Sequence, residues 1–139
     1  MPLNIVRLTD KLSVAPQIAA ADIPAIAAKG FRTVINNRPD GEVPGQLADA
    51  EERRIAAQAG LVYHYLPVTA ATLTAAQVDA FDKLLAGAEG PVLAHCRSGT
   101  RCYLMWAATQ LRAGKASADS LIREAAERGF DIASLARLD

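Results

Sequence analysis

The 139-residue sequence predicts an α/β layered fold with a largely parallel sheet, on three observations. Three apolar runs, FRTVIN, LVYHYL and PVLAHC, have the length and residue types of buried strands. Ala-rich segments, which favour helix, alternate with them. Gly or Pro stands at the junctions, where a strand or helix has to stop.

Each element can be justified in order. The first fifteen residues, with IVRL and KLSVA around Thr9-Asp10, predict a short hairpin. Ala21 to Lys29 reads as a helix that Gly30 ends. Phe31 to Asn36 is a buried strand, and the loop NRPDGEVPG after it is dense in Pro, Gly and Asp. Gly45 to Ala59 reads as helical, with Glu51, Glu52, Arg53 and Arg54 on a solvated face, and Gly60 closes it. Leu61 to Leu66 is the next strand, stopped by Pro67. Thr74 with Gln77 three positions later is a capping-box pattern. The helix it starts turns Val78, Phe81, Leu84 and Leu85 to one side, the spacing of a core-facing stripe. Gly90-Pro91 breaks the chain before the third strong strand, Pro91 to Cys96. Helices from about Cys102 to Arg112 and from Ala118 to Arg128 follow, with a last turn or two from Asp131.

The length predicts one domain, residues 1–139, large enough for a core without disulfides. Fifteen basic residues offset fifteen acidic ones, so net charge argues for neither nucleic acid nor a membrane surface as partner. Any anion binding is therefore local. No apolar stretch approaches the roughly 20 residues of a bilayer span. MPLNIVRLTD lacks the basic and apolar segments of a signal peptide, and only two cysteines occur, so a cytoplasmic, reducing location is expected. With two histidines and no cluster at ligand spacing, neither a metal nor another cofactor is expected.

Chemistry concentrates in Val92 to Cys102, where an apolar strand runs through a short polar loop into a helix N-terminus. Such a loop can point several backbone N–H groups at one centre, and the helix adds positive potential. A thiolate at Cys96 would gain from that field, and Arg101 can fork two donors onto an oxyanion beside it. Gly99 lets the backbone turn; Arg97, Ser98 and Thr100 complete a substrate-binding loop, with Arg97 at its rim. Arg38 and Asp40 end a second strand, either as a wall of the site that attracts an anion or as a pair that orders a turn. His95 fixes the loop or orients the thiolate; His64 reads as an ordinary strand histidine. Cys102 is either a small packed residue or the resolving partner of an oxidised Cys96.

His95-Cys96 followed by a glycine and an arginine resembles the phosphate-binding loop of cysteine-dependent phosphatases. Those place five residues between cysteine and arginine; here there are four, and Cys-Arg-Ser-Gly-Thr-Arg is similar to the active loop of rhodanese-type sulfurtransferases. Over nearly its whole length the chain resembles the bacterial phosphatase-like family found as an extra domain of beta-lactamase hydrolase-like proteins. Val34 to Glu42, Tyr65-Leu66-Pro67-Val68 and the Cys96 loop carry that resemblance. It implies a cysteine-phosphatase-like, three-layer fold, with a mostly parallel sheet of four to five strands between helices. At the position after Arg101 such phosphatases commonly carry Ser or Thr to support the thiolate, and the thiol of Cys102 is a weaker donor.

A phosphatase of this kind uses an acid on the loop after a strand ending in proline. Pro67 to Thr74 contains no carboxylate. Asp40 is then the loop carboxylate expected to substitute, as acid or orienter. General-acid help is worth roughly 10²- to 10⁴-fold. Sulfur transfer needs no such acid, because sulfite or a thiolate leaves unprotonated. The expectation from sequence is therefore a sulfurtransferase that forms a Cys96 persulfide from a small sulfur-containing anion; the family resemblance, not the residues, is what points to a sulfide-oxidation enzyme as partner. The alternative is a phosphatase acting on a phosphorylated substrate through phosphocysteine. A third reading is a non-catalytic anion-binding or redox-sensing module.

Overall fold

The computed structural model describes residues 3–69, 71 and 73–137. Five strands form one sheet in the order β1 (Val6–Arg7), β2 (Leu12–Ala15), β5 (Val92–His95), β3 (Thr33–Asn36), β4 (Val62–Tyr65). Only the hairpin pair β1–β2 is antiparallel. The helices are α1 (Asp22–Ala28), α2 (Asp49–Gln58), α3 (Ala75–Gly87), α4 (Thr100–Arg112) and α5 (Ala118–Glu127), followed by a 3-10 helix at Ala133–Arg137. This is the three-layer, mostly parallel fold expected from the sequence.

Strands β2, β3 and β5 are buried on both faces, which is why their sequences run apolar without alternation. Edge strand β4 does alternate at its start, Val62 outside and Tyr63 inside. One layer packs Ile23, Ile26 and Ala56 of α1 and α2 against Val34 and Leu93. The other packs Val78, Phe81, Tyr103, Met105, Ala107 and Leu121 of α3, α4 and α5 against Leu12, Val14, Ile35, Val92 and Ala94. Because side chains along a strand alternate, Leu93 and His95 face α1 and α2, whereas Ala94 and Cys96 face α4.

The capping box at Thr74 and Gln77 forms as expected. Helix α2 starts at Asp49, later than the expected Gly45. Gly45 has φ +80, and Gln46 is tied into the loop, its Nε2 donating to the Pro39 carbonyl while its Oε1 accepts from the Glu42 N–H. Helix α4 starts at Thr100, so Arg101 and Cys102 both lie in its first turn.

Candidate active site

Ala15, His95, Asn36 and Tyr65 stand in register at the carboxyl ends of β2, β5, β3 and β4. The loops that leave them are stitched together there, as expected for a site in a parallel sheet. Gln17 N–H donates to the Arg97 carbonyl (3.2 Å), Asn37 N–H to the His95 carbonyl (2.8 Å) and Val68 N–H to the Asn37 carbonyl (3.0 Å).

Cys96 is the first residue past β5, and it is 0% exposed. Its Sγ accepts from the Gly99 N–H at 3.1 Å. Gly99 is the N-cap of α4 with φ +92, and a Cβ there would lie 3.2 Å from the Phe130 ring. The close turn that aims its N–H at sulfur therefore needs glycine.

The Cys96 thiol is pulled down to about 5, so it is a thiolate at neutral pH. A hydrogen bond from the Cys102 thiol is the largest cause. Burial works against ionisation, and the N–H groups of Cys102, Gly99 and Arg101 favour it. Cys102, wholly buried beside it, is pushed up and keeps its proton. From sequence alone, the acidity comes from the positive field, and Cys102 is a weak donor, a packing residue or a resolving cysteine. In the structure both cysteines are free, and the buried Cys102 thiol is the largest influence favouring ionisation of Cys96.

Arg101, in the first turn of α4, extends its guanidinium to the neighbouring loops. Its Nη1 donates to the Val68 carbonyl (3.1 Å) and its Nη2 to Glu42 Oε1 (2.8 Å). Buried Arg38 donates from Nε to the same Glu42 oxygen at 2.8 Å and from Nη1 to Gln17 Oε1 at 3.2 Å. Hydrogen bonding to Arg101 first, and then to Arg38, holds the Glu42 carboxyl below the usual range, against the opposing effect of burial. Two guanidiniums on one carboxylate leave that cluster one positive charge in excess, which balances the Cys96 thiolate.

Asp40 is placed elsewhere. It is exposed; its Oδ1 accepts from the Asp49 N–H (2.8 Å), serving the start of α2, whose N-cap Ala48 has no capping side chain. Its own N–H donates to Tyr65 Oη at 2.9 Å. Gly41, at φ +76, turns the chain between Asp40 and Glu42, so the carboxylate that meets Arg101 is Glu42. No local pattern in RPDGE distinguishes the two. Arg97 and Ser98 are exposed at the rim, and Ser98 Oγ donates to Oγ1 of half-buried Thr100 at 2.9 Å. His64 lies half-buried on β4.

Glu52 corrects the sequence reading most sharply. Expected on a solvated helix face, it is 0% exposed, and its Oε2 lies 2.6 Å from His95 Nε2, also 0% exposed. It shares the inward face of α2 with Ala56, one turn on. The sequence signal lay in His95 itself: a histidine ending a central strand between two layers needs a polar partner. Among the described residues, no group of three or more His, Cys, Asp or Glu is placed to hold a metal. No helix among them is long and apolar enough to cross a membrane.

The family model for the beta-lactamase hydrolase-like protein, phosphatase-like domain, matches residues 4–114. A beta-lactamase hydrolase-like protein of Agrobacterium fabrum is 37% identical over 135 residues, which is 97% of this chain but 31% of that protein. The chain thus spans about a third of the curated relative. A candidate phosphatase from Neisseria meningitidis has the same fold with TM-score 0.86 and 38% identity, over 96% of this chain and 94% of that one. TpbA of P. aeruginosa, as a cysteine-to-serine variant in complex with phosphotyrosine, is similar in fold (TM-score 0.68, 22% identity, 95% and 87% covered). Fold, loop and sequence agree, and the chain belongs to the phosphatase-like domain family of beta-lactamase hydrolase-like proteins.

Proposed function

We propose that the chain is a cysteine-dependent phosphatase working through phosphocysteine on Cys96. The observation that carries this reading is the buried Cys96 thiolate, lowered to about 5, facing the amides at the start of α4, with Arg101 in the first turn of that helix. The thiolate gives its electron pair to phosphorus; the P–S bond forms as the ester P–O bond breaks, and the leaving oxygen takes those electrons. Water then attacks phosphorus, the S–P bond breaks back to thiolate, and inorganic phosphate leaves. Two of the five N–H donors of Arg101 are engaged with Glu42 and Val68, which leaves the others for phosphoryl oxygens.

The leaving group narrows the substrate. Pro67 to Thr74 holds no carboxylate, Glu42 is kept ionised by Arg101 and Arg38, and Asp40 serves α2. With no acid at hand, an aryl phosphate is favoured, because a phenol of pKa about 10 departs more easily than an alkyl alcohol. Phosphotyrosine, the ligand of the P. aeruginosa neighbour, is the first such ester to try.

This reverses the order expected from sequence: the family model and the Neisseria relative are phosphatase-like, and neither supports persulfide chemistry. Sulfur transfer stays as the second reading because four residues, not five, separate Cys96 from Arg101. One experiment separates the two. Phosphate release from p-nitrophenyl phosphate and a phosphotyrosine peptide is measured beside intact mass after thiosulfate, with Cys96→Ser as control. Cys96-dependent release without a sulfur adduct is expected; a transferable sulfur on Cys96 with no release would replace phosphatase by sulfurtransferase.

A further inference from the structure

Behind the nucleophile, on the opposite face of the sheet, lies a carboxylate–imidazole pair that the chemistry above does not use. His95 and Cys96 are consecutive, so their side chains leave β5 on opposite faces. The sulfur goes to the α4 side and the imidazole to the α2 side, where Glu52 meets it. At 2.6 Å, Nε2 and Oε2 must share a hydrogen. Neither residue is exposed, and neither His95 Nδ1 nor Glu52 Oε1 has another partner among the described residues. A buried carboxylate is tolerated only when paired, so this contact holds α2 to the end of β5 at a defined spacing.

We propose that Glu52 is a positioning residue for the Cys96 reaction, fixing the His95 ring and so the strand end from which the nucleophilic loop departs. The connection is short. The His95 carbonyl accepts from Asn37 N–H at 2.8 Å, which ties the same residue to the loop that carries Arg38 and Glu42. The Cys96 N–H reaches the Ala15 carbonyl at 3.4 Å, the long end of the hydrogen-bond range, so β2 grips the loop base weakly. The His95 side chain, gripped by Glu52, is then a side-chain anchor behind the thiolate in addition to the backbone ones. This role rests on Cys96 being the nucleophile, which phosphatase and sulfurtransferase chemistry share.

The test uses the full chain with Glu52→Gln, His95→Asn and the double variant. Iodoacetamide alkylation of Cys96 is followed by peptide mass at one pH, with kcat and KM for p-nitrophenyl phosphate and Tm measured on the same samples. Glu52→Gln keeps the shape and is expected to slow alkylation and lower kcat by about 10- to 100-fold, with KM within twofold, since small misplacements of a reacting group cost that much. The double variant should be no worse than His95→Asn alone. A lower Tm with alkylation and kcat unchanged, or losses that multiply in the double variant, would overturn the proposal. Should Glu52→Gln not fold, ¹⁵N NMR of the wild-type imidazole decides. A strongly downfield ¹H resonance for the hydrogen between Nε2 and Glu52 is expected, and an imidazole with neither nitrogen hydrogen-bonded would overturn it. If no variant, wild type included, releases phosphate, the phosphatase reading fails while the alkylation comparison still stands.

Discussion

The two loops that frame the site leave neighbouring strands at the same level but hold their functional atoms by different means. Residues 96–99, between β5 and α4, hold the thiolate by what lies next to it in the chain: one left-handed glycine, N–H groups from the first turn of α4 and the Cys102 thiol in that turn. Residues 37–48, between β3 and α2, hold theirs with side chains: Arg38 and Arg101 on Glu42, Gln46 on Pro39, and Asp40 on Asp49. A short link between two regular elements has few conformations open to it, and one glycine turn selects among them. A longer link has far more to lose in entropy and needs explicit tethers. Changes in the first loop should therefore act on the nucleophile, and changes in the second on substrate grip or stability.

The largest test of that division is Arg101→Ala, which sits between the two loops. We expect kcat/KM to fall by about 10²- to 10³-fold, the usual cost of losing an oxyanion donor. Iodoacetamide should nevertheless alkylate Cys96 within twofold of the wild-type rate, because the largest contributions to its acidity come from the Cys102 thiol and backbone N–H groups. A large loss of alkylation would mean that the short loop and the first turn of α4 do not hold the thiolate without the Arg101 side chain.

Cys102→Ala comes next and acts on the short loop alone. The Cys96 thiol titrates at about 5, below its ordinary value, so reactivity is full above that pH and lost as pH falls through it. Without the Cys102 donor the midpoint should rise by about two units, so that alkylation at pH 6 slows by about tenfold while the rate at pH 9 stays the same. Cys102→Ser, which offers a hydroxyl donor, should restore the low midpoint. An unchanged titration curve in the Ala variant would shift the credit to the amides.

In the long loop, Glu42→Gln releases both guanidiniums from a charged acceptor. KM for an aryl phosphate should rise by about tenfold, equal to ~1.4 kcal/mol and at the low end for a charge-assisted hydrogen bond. The thiolate titration should stay in place. The smallest effect on activity belongs to Asp40→Ala: a loss of about 0.5–2 kcal/mol in stability, the range for a missing N-terminal helix acceptor, with kcat unchanged. A matching fall in kcat would return Asp40 to the site.

Much of the fold was legible because it depends on local and periodic signals. Gly30 and Gly60 close α1 and α2, Thr74 and Gln77 open α3, and the uninterrupted apolar runs at Thr33–Asn36 and Val92–His95 are central strands. The start of α2 was not legible, since the side chain of Gln46, a good helix former, is recruited by Pro39 and Glu42. Nor was the choice between Asp40 and Glu42, two residues apart across a glycine turn.

By itself the sequence determined the layered α/β class, the thiol at the end of a central strand and the glycine turn into α4, because each is written in short contiguous stretches of chain. Only the tertiary structure decided which charges are buried and with whom. Glu52 meets His95 across 43 positions of chain, and Glu42 meets Arg101 across 59. The physical reason is that local patterns fix where a charged side chain sits on its own element, but not which partner the opposing layer or loop brings to it. Where that partner lies is a property of packed layers, and no stretch of contiguous residues contains it.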